Sequence, residues 1–209
     1  MKKFEYLKPK TLDEALSLLS QYGQKAALIA GGTDIIVMAK QKRRTPEVLI
    51  SLRGIPGLDR VHSNGSLRLG PLVTHRTIEK SELIRKEFSV LADAVDSLGS
   101  IQIRNVATIG GNICTAAPSA DTACPLLVLD ARLKIRGKTS GRTIPIDQFF
   151  TGPGQSTLSS EEILAEIVEA ERGLAPLLVH NDEMAREELY HAAPHPSLDR
   201  EPIAGRSPG

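Results

Sequence analysis

Two short segments constrain this chain more than anything else in it. In Leu28-Ile29-Ala30-Gly31-Gly32-Thr33-Asp34 an apolar run of strand character ends in paired glycines and a hydroxyl. Far downstream the design returns in Arg104-Asn105-Val106-Ala107-Thr108-Ile109-Gly110-Gly111-Asn112-Ile113-Cys114. Small and hydroxylic residues then persist through Thr115-Ala116-Ala117-Pro118-Ser119-Ala120-Asp121. Residues of this size bury little apolar surface, so their value lies in letting backbone come close to something. Both segments read as apolar strands turning through Gly-Gly loops. Two such loops, distant in sequence, can cradle one polar, phosphate-bearing ligand between them.

Composition narrows what that ligand and its partners can be. The 209 residues suffice for one large or two small domains with real cores. A net charge of +1 leaves no basic footprint for nucleic acid. Aromatics at 3% and the absence of Trp argue against stacking on single-stranded bases. No apolar run is long enough for membrane insertion. The start, Met1 to Tyr6, has lysines with no apolar stretch behind them, so no signal peptide is expected. Two cysteines, Cys114 and Cys124, make no disulfide framework, and a cytoplasmic, reducing location is expected.

Along the chain, Phe4 to Leu7 is a short extended run. Thr11-Leu12-Asp13-Glu14 reads as a capping box, with Glu14 reaching back to the Thr11 N–H. Leu12, Ala15, Leu16 and Leu19 share one face of the helix that follows, which Gly23 ends. Lys25 to Ala30 predicts a strand, Thr33 is placed to cap a helix through about Gln41, and Glu47 to Leu52 predicts a third strand. The alternation makes a small α/β unit. Asn64-Gly65 marks a hairpin. Thr74 is placed to cap a short helix through Lys80, and Ser81 to Leu98 predicts one longer helix with a stripe of Leu83, Ile84, Phe88, Leu91, Ala92, Val95 and Leu98. Asp121 is placed to cap an apolar helix from Thr122 to Asp130. A second hairpin is expected across Arg132–Arg136 and Arg142–Ile146, a bend at Phe149 to Gly154, and a last strand from Glu162 to Val168. Beyond Glu169 periodicity weakens, with a helix expected only over Asp182 to Tyr190 and disorder over the last fifteen residues.

The chemistry available is narrow. Backbone N–H groups of the Gly31-Gly32 loop at a helix start favour an anion, although for this loop taken alone a plain strand-to-helix turn is the better account of the glycines. Asp34 suits the helix dipole but repels a phosphate unless its side chain turns away. Ser119 and Asp121 supply the donor and acceptor that ribose or ribityl hydroxyls require, or else serve as helix caps. Arg104 is placed either to neutralise a phosphate or to form a salt bridge. Gly137-Lys138-Thr139 imitates the end of a phosphate-binding P-loop, but Arg132 stands where its first glycine belongs. No G-x-G-x-x-G fingerprint supports a Rossmann fold. His62 and His75 are expected at surface or cap positions. His191 and His195 are separated by Pro194 and share no helix face. Cys114 and Cys124 lack partners at metal spacing and read as small buried hydrophobes, so no metal site is expected. No catalytic triad or carboxylate pair is evident, and no catalytic residue is assigned.

Taken together, Ala30-Gly31-Gly32-Thr33-Asp34, Gln102 to Cys114 and Ser119-Ala120-Asp121 closely resemble the FAD-binding medium subunit of molybdenum hydroxylases. That family includes xanthine dehydrogenase, aerobic carbon monoxide dehydrogenase and related aromatic hydroxylases. The resemblance runs from about Phe4 to Val168, with Phe149 to Gly154 matching a further stretch. It implies an α+β fold of the PCMH-like, vanillyl-alcohol-oxidase type, with two FAD-binding subdomains. Residues 1–56 are the small α/β unit, and residues 57–168 are a larger mixed sheet with helices. It further implies that FAD contacts Ala27, Leu28, Ile29, Ala30, Gly31, Gly32, Thr33 and Asp34 in the first segment. In the second it contacts Thr108, Ile109, Gly110, Gly111 and Asn112, and beyond them Ser119 and Asp121. Partners implied are a large subunit with the molybdenum cofactor and a small subunit with 2Fe–2S clusters. Electrons then pass through FAD to NAD or another acceptor. Relatives with an inserted cluster carry extra cysteines between the two loops, and this chain has none there. Family members continue past Val168 with a lysine-bearing flavin contact and a C-terminal domain that residues 169–209 do not resemble. A shortened or altered end is therefore expected. Two other readings stay open: a self-contained FAD-dependent oxidoreductase, and a non-catalytic truncated remnant that only docks to partners.

Overall fold

The structure, a computed structural model, describes residues 2–171. The expected helix over Asp182 to Tyr190, the expected terminal disorder and the histidines His180, His191 and His195 lie outside the described residues. Two sheets organise what is described. The first is parallel, with order β1-β3-β2, built from β1 (Glu5–Leu7), β2 (Ala26–Ile29) and β3 (Val48–Ser51). Helix α1 (Leu12–Tyr22) joins β1 to β2, and α2 (Ile35–Lys40) joins β2 to β3. All four residues of the central strand β3 are buried, which is why Val48-Leu49-Ile50 reads as an unbroken apolar run. Ala15, Leu16 and Leu19 of α1 pack into the same core as Val48 and Ile50, and Leu58, Leu72 and Ile163 join them from later in the chain.

Thr11 caps α1 as expected, its Oγ accepting from the Glu14 N–H at 3.1 Å. The reciprocal bond differs. The Glu14 carboxylate accepts from the Lys10 N–H at 2.7 Å rather than from Thr11, one residue further out than a capping box places it.

The second sheet has order β4-β5-β10-β6-β7, and every pairing in it is antiparallel. Its strands are β4 (Val61–Asn64), β5 (Ser66–Leu69), β6 (Arg132–Arg136), β7 (Gly141–Pro145) and β10 (Ile163–Glu171). A two-stranded ribbon of β8 (Phe150–Gly152) and β9 (Gln155–Ser156) precedes β10. The helices between β5 and β6 are α3 (His75–Lys80), α4 (Glu82–Glu87), α5 (Ser89–Asp96), α6 (Ile101–Arg104), α7 (Ile109–Thr115) and α8 (Ala123–Val128). Ile78, Ile84, Leu91, Val95, Ile109, Ile113 and Leu126 from these helices form one core with Leu67, Leu69, Leu133, Ile135 and Ile167 of the strands. Strand β10 lies at the middle of the sheet, so the last stretch of described chain locks the two earlier hairpins together.

Three local expectations are corrected. The single helix over Ser81 to Leu98 is two helices, broken where Phe88 leaves helical geometry at φ −138° and ψ 48°. The apolar stripe survives the break because Phe88 itself is buried in the core. Helix α2 begins at Ile35 with no side-chain cap, and the Thr33 hydroxyl meets Asp34 Oδ2 at 3.5 Å instead of a backbone N–H. Helix α8 likewise begins without a side-chain cap, so Asp121 caps nothing. Gly137-Lys138-Thr139 belongs to the turn between β6 and β7, within the hairpin expected there.

Candidate functional site

The C-terminal end of β2, the start of α2 and the start of α7 border one cleft of about 980 Å³. That lies at the upper end of small-molecule sites. Of the residues expected to bind a ligand, Ala27, Leu28, Ala30, Gly31, Gly32, Thr33, Asp34, Thr108, Gly110, Gly111 and Asn112 line it. Ile29 and Ile109 do not: Ile109 is fully buried in the core of the second sheet, and Ile29 packs over Gly32. Ser119 and Asp121 also stand outside the lining, exposed in the turn ahead of α8.

The two glycine pairs play different parts. In the first, the backbone N–H groups of residues 31–34 donate to no protein group among the described residues. Their carbonyls are held from behind: Arg53 Nε donates to the Ala30 oxygen at 2.9 Å and Nη2 to the Gly31 oxygen at 3.2 Å. The second pair is the opening turn of a helix, not a loop after a strand. Thr108 caps it, accepting from the Gly111 N–H at 3.1 Å. The Ile109 N–H donates to the Val73 carbonyl, Gly110 to Pro71 and Asn112 to Thr108. The N–H groups of residues 109–112 are thus spent on the protein, whereas those of residues 31–34, which line the cleft, have no protein partner among the described residues.

Close approach explains both pairs. A Cβ on Gly31 would fall 2.3 Å from the Val106 carbonyl oxygen, and one on Gly110 would fall 2.5 Å from the Pro71 Cβ. Gly31 lets the parallel-sheet loop meet the chain just ahead of α7, and Gly110 lets the first turn of α7 meet the turn after β5. The thing approached at these two positions is the other part of the chain itself. Thr115 Oγ1 then spans the junction, donating to the Gly111 carbonyl at 2.8 Å and reaching Asp34 Oδ2 at 3.5 Å. That contact turns the Asp34 carboxylate toward two hydroxyls. Asn112 is fixed by Thr122, whose hydroxyl donates to its Oδ1 at 2.5 Å.

Other residues differ from their expected roles. Arg104 is buried and bound to protein: Nε donates to Glu79 Oε2 at 2.9 Å, and Nη1 donates to the Leu98 and Gly99 carbonyls at 3.1 Å. It does not line the cleft, and its guanidinium is engaged with Glu79 and the Leu98 and Gly99 carbonyls instead of with a phosphate site. Burial alone would raise the Glu79 pKa, but the Arg104 hydrogen bond and the charges of Arg104, Arg76 and Lys80 hold it below the ordinary carboxylate value. His75 is neither a surface nor a cap residue. It follows the cap Thr74, is 1% exposed, and both ring nitrogens lack a hydrogen-bond partner. Burial drives its pKa down to about 4, against the charge of Asp121 and with that of Arg104. Cys114 packs against the core, and its burial pushes the thiol up to about 12, so it is inert as a nucleophile. Cys124 is exposed, contrary to expectation.

The cleft also holds residues that glycine motifs could not reveal. Arg43 and Arg44 line it, as do Ser156, Ser159, Ser160 and Glu162. The run Ser156-Thr157-Leu158-Ser159-Ser160 is a legible signal, being a second concentration of hydroxyls. Glu162 is neutralised by a paired contact with Arg142 at 3.0 and 2.9 Å, which lowers its pKa. Among the described residues no group of His, Cys, Asp and Glu is placed to hold a metal ion, and no helix is long and apolar enough to cross a membrane.

With this geometry in place, comparison with known proteins is informative. Residues 2–168 match the family described as the FAD binding domain in molybdopterin dehydrogenase. The chain is 36% identical over 174 residues to the nicotinate dehydrogenase FAD-subunit of Eubacterium barkeri, covering 80% of this chain and 58% of that one. It is 37% identical over 161 residues to the xanthine dehydrogenase FAD-binding subunit of Escherichia coli O157:H7, covering 76% and 55%. A solved structure of carbon monoxide dehydrogenase from Hydrogenophaga pseudoflava superimposes with a TM-score of 0.80 at 31% identity, over 82% of this chain and 60% of that one. The chain thus spans rather more than half the length of these relatives. The α+β fold, the glycine pairs and the family match agree: this chain belongs to the FAD-binding domain family of the molybdopterin dehydrogenases.

Proposed function

We propose that the cleft holds FAD and that the chain serves as the flavin-carrying part of a molybdenum hydroxylase, of the kind represented by xanthine dehydrogenase. The observation that carries this reading is the single cleft reached by both glycine segments, with the N–H groups of residues 31–34 unpaired along its wall. A dinucleotide suits such a site. Its pyrophosphate needs donors that cost no reorganisation, and its sugar hydroxyls need small polar neighbours such as Thr33, Asn112 and Thr115. Residues 1–56 and 57–168 act in this reading as two FAD-binding subdomains meeting at the cleft. Ser119 and Asp121 contribute only through a ligand that extends past the cleft lining.

Bound FAD supplies a redox carrier able to take electrons from iron–sulfur clusters on a partner and pass them to NAD or another acceptor. The residues of this chain bind and orient. Within the cleft His75 is held neutral and Glu162 is engaged by Arg142, so neither is poised as a catalytic acid or base. The molybdenum cofactor and 2Fe–2S clusters belong, in this proposal, to a large and a small partner subunit in a reducing, cytoplasmic setting. Incubating the purified full chain with FAD and desalting it tests the reading. Retained flavin absorbance in stoichiometric amount is expected, and a colourless protein after desalting counts against it.

A further inference from the structure

Five ionisable residues other than cysteine line the cleft: Asp34, Arg43, Arg44, His75 and Glu162. The charge of Glu162 is met by Arg142, and His75 is neutral at physiological pH. Arg53, the cation nearest the first glycine pair in function, is committed to the Ala30 and Gly31 carbonyls. What remains is one carboxylate, Asp34, and two guanidinium groups, Arg43 and Arg44. Neither of these arginines makes a side-chain hydrogen bond or ion pair with any described residue. Their placement is fixed by backbone. Lys42 takes a left-handed conformation at φ 59°, and the Arg43 and Arg44 N–H groups fold back on the Met38 carbonyl at 2.9 and 3.4 Å. The chain therefore turns at the end of α2 and keeps both arginines on the cleft side.

A pyrophosphate brings two negative charges into a cleft that already contains Asp34. Neutral N–H groups stabilise such charge but do not cancel it, whereas guanidinium groups do both, in a fork matched to phosphate oxygens. We infer that Arg43 and Arg44 are phosphate-binding residues of the cleft, contacting the pyrophosphate of the dinucleotide and offsetting Asp34. The inference rests on the FAD reading above and deepens it by assigning the countercharge.

The test uses the full chain and compares FAD with riboflavin, which shares the flavin ring and ribityl chain but has no phosphate. Binding is followed by flavin fluorescence at low and moderate salt. The R43Q/R44Q variant is expected to bind FAD at least about tenfold more weakly than wild type. It should show a shallower loss of FAD affinity with salt, because fewer screened contacts remain. Its riboflavin affinity should be unchanged, and R43K/R44K should recover a large part of the FAD affinity by restoring charge. Equal FAD affinity and equal salt dependence in wild type and R43Q/R44Q would overturn the arginine assignment while leaving the FAD reading intact. Equal weakening for FAD and riboflavin would also overturn it, since the arginines would then shape the cleft instead of reading phosphate. A wild-type chain that binds neither flavin overturns the FAD reading and this inference with it.

Discussion

At the scale of single residues, two positions carry consequences beyond their size. Gly31 faces the Val106 carbonyl so closely that a methyl group would sit at 2.3 Å from its oxygen, and that oxygen is backbone with little freedom to yield. Gly31→Ala should therefore destabilise the fold by about 2–3 kcal/mol through forced separation of the two segments, read as a lower denaturant midpoint at unchanged slope. The loss should appear in the absence of any flavin, since the clash is with protein. His75 is the second position. In the folded chain its pKa lies near 4, against 6.5 for the free side chain, because burial disfavours the charged ring more than Asp121 favours it. The sign follows from proton counting. Between pH 6.5 and 4 the unfolded chain takes up a proton at this site and the folded chain does not, so stability falls as pH falls through that window. The full loss attributable to His75 is about 3 kcal/mol. His75→Leu should flatten the stability profile over pH 4 to 6.5 relative to wild type. It should hold or raise stability at pH 7, where both ring nitrogens otherwise stay buried without partners. A variant whose profile keeps the wild-type slope would place the titration elsewhere.

At the scale of elements, α7 shows how a helix too short and too glycine-rich to form alone is made by its surroundings. Seven residues beginning Ile-Gly-Gly have poor intrinsic helicity. Ile109 and Ile113 bury one face, the Gly110 N–H is taken by Pro71, and Thr108 caps the first turn. Thr108→Ala should cost about 1–2 kcal/mol by removing that cap, while Thr108→Ser, which keeps the hydroxyl, should cost little by thermal unfolding. This element also marks the limit of what was legible beforehand. Paired glycines after an apolar run signal a turn by local rules, and nothing local to Thr108-Ile109-Gly110-Gly111 announces that Val73 and Pro71 will supply acceptors from another part of the chain. The break at Phe88 was hidden for a similar reason, because the buried stripe continues through it and periodicity alone sees one helix. By contrast β3, α1 with its Thr11 cap, and both hairpins were readable, since each is specified by its own apolar pattern and turn residues. At the cleft, the glycines of the lining were readable because close backbone approach demands them. The cations Arg43 and Arg44 were visible only as a polar loop, since their position depends on how α2 ends.

At the scale of the whole molecule, the parallel and antiparallel sheets have separate cores that share a border. Leu58, Leu72 and Ile163 reach from the chain beyond residue 56 into the first core. The Gly31–Val106 contact and the Asp34–Thr115 bridge close the same border beside the cleft. Residues 31–34 line the cleft on one side and the α7 turn on the other, so under the proposed reading the binding energy of FAD would add to whatever joins the two sheets. Binding to the folded state alone stabilises by RT ln(1 + [L]/Kd), about 2.7 kcal/mol at a concentration one hundred times Kd. FAD at that excess should raise the thermal midpoint of the full chain, with both sheets unfolding in one transition. Riboflavin and ADP, each engaging part of the cleft, should raise it less at the same concentration. The contrast matters more than the size of any one shift. At equal saturation any of these ligands stabilises a two-state chain equally, so a bridging ligand is marked by its effect on cooperativity and not by the size of the shift. A bridging ligand couples the halves, so the dinucleotide should also sharpen a transition that is broader without it. Differential scanning calorimetry reads both quantities. An FAD-induced rise in midpoint without any gain in cooperativity would locate the flavin on one sheet alone and refute the bridging arrangement.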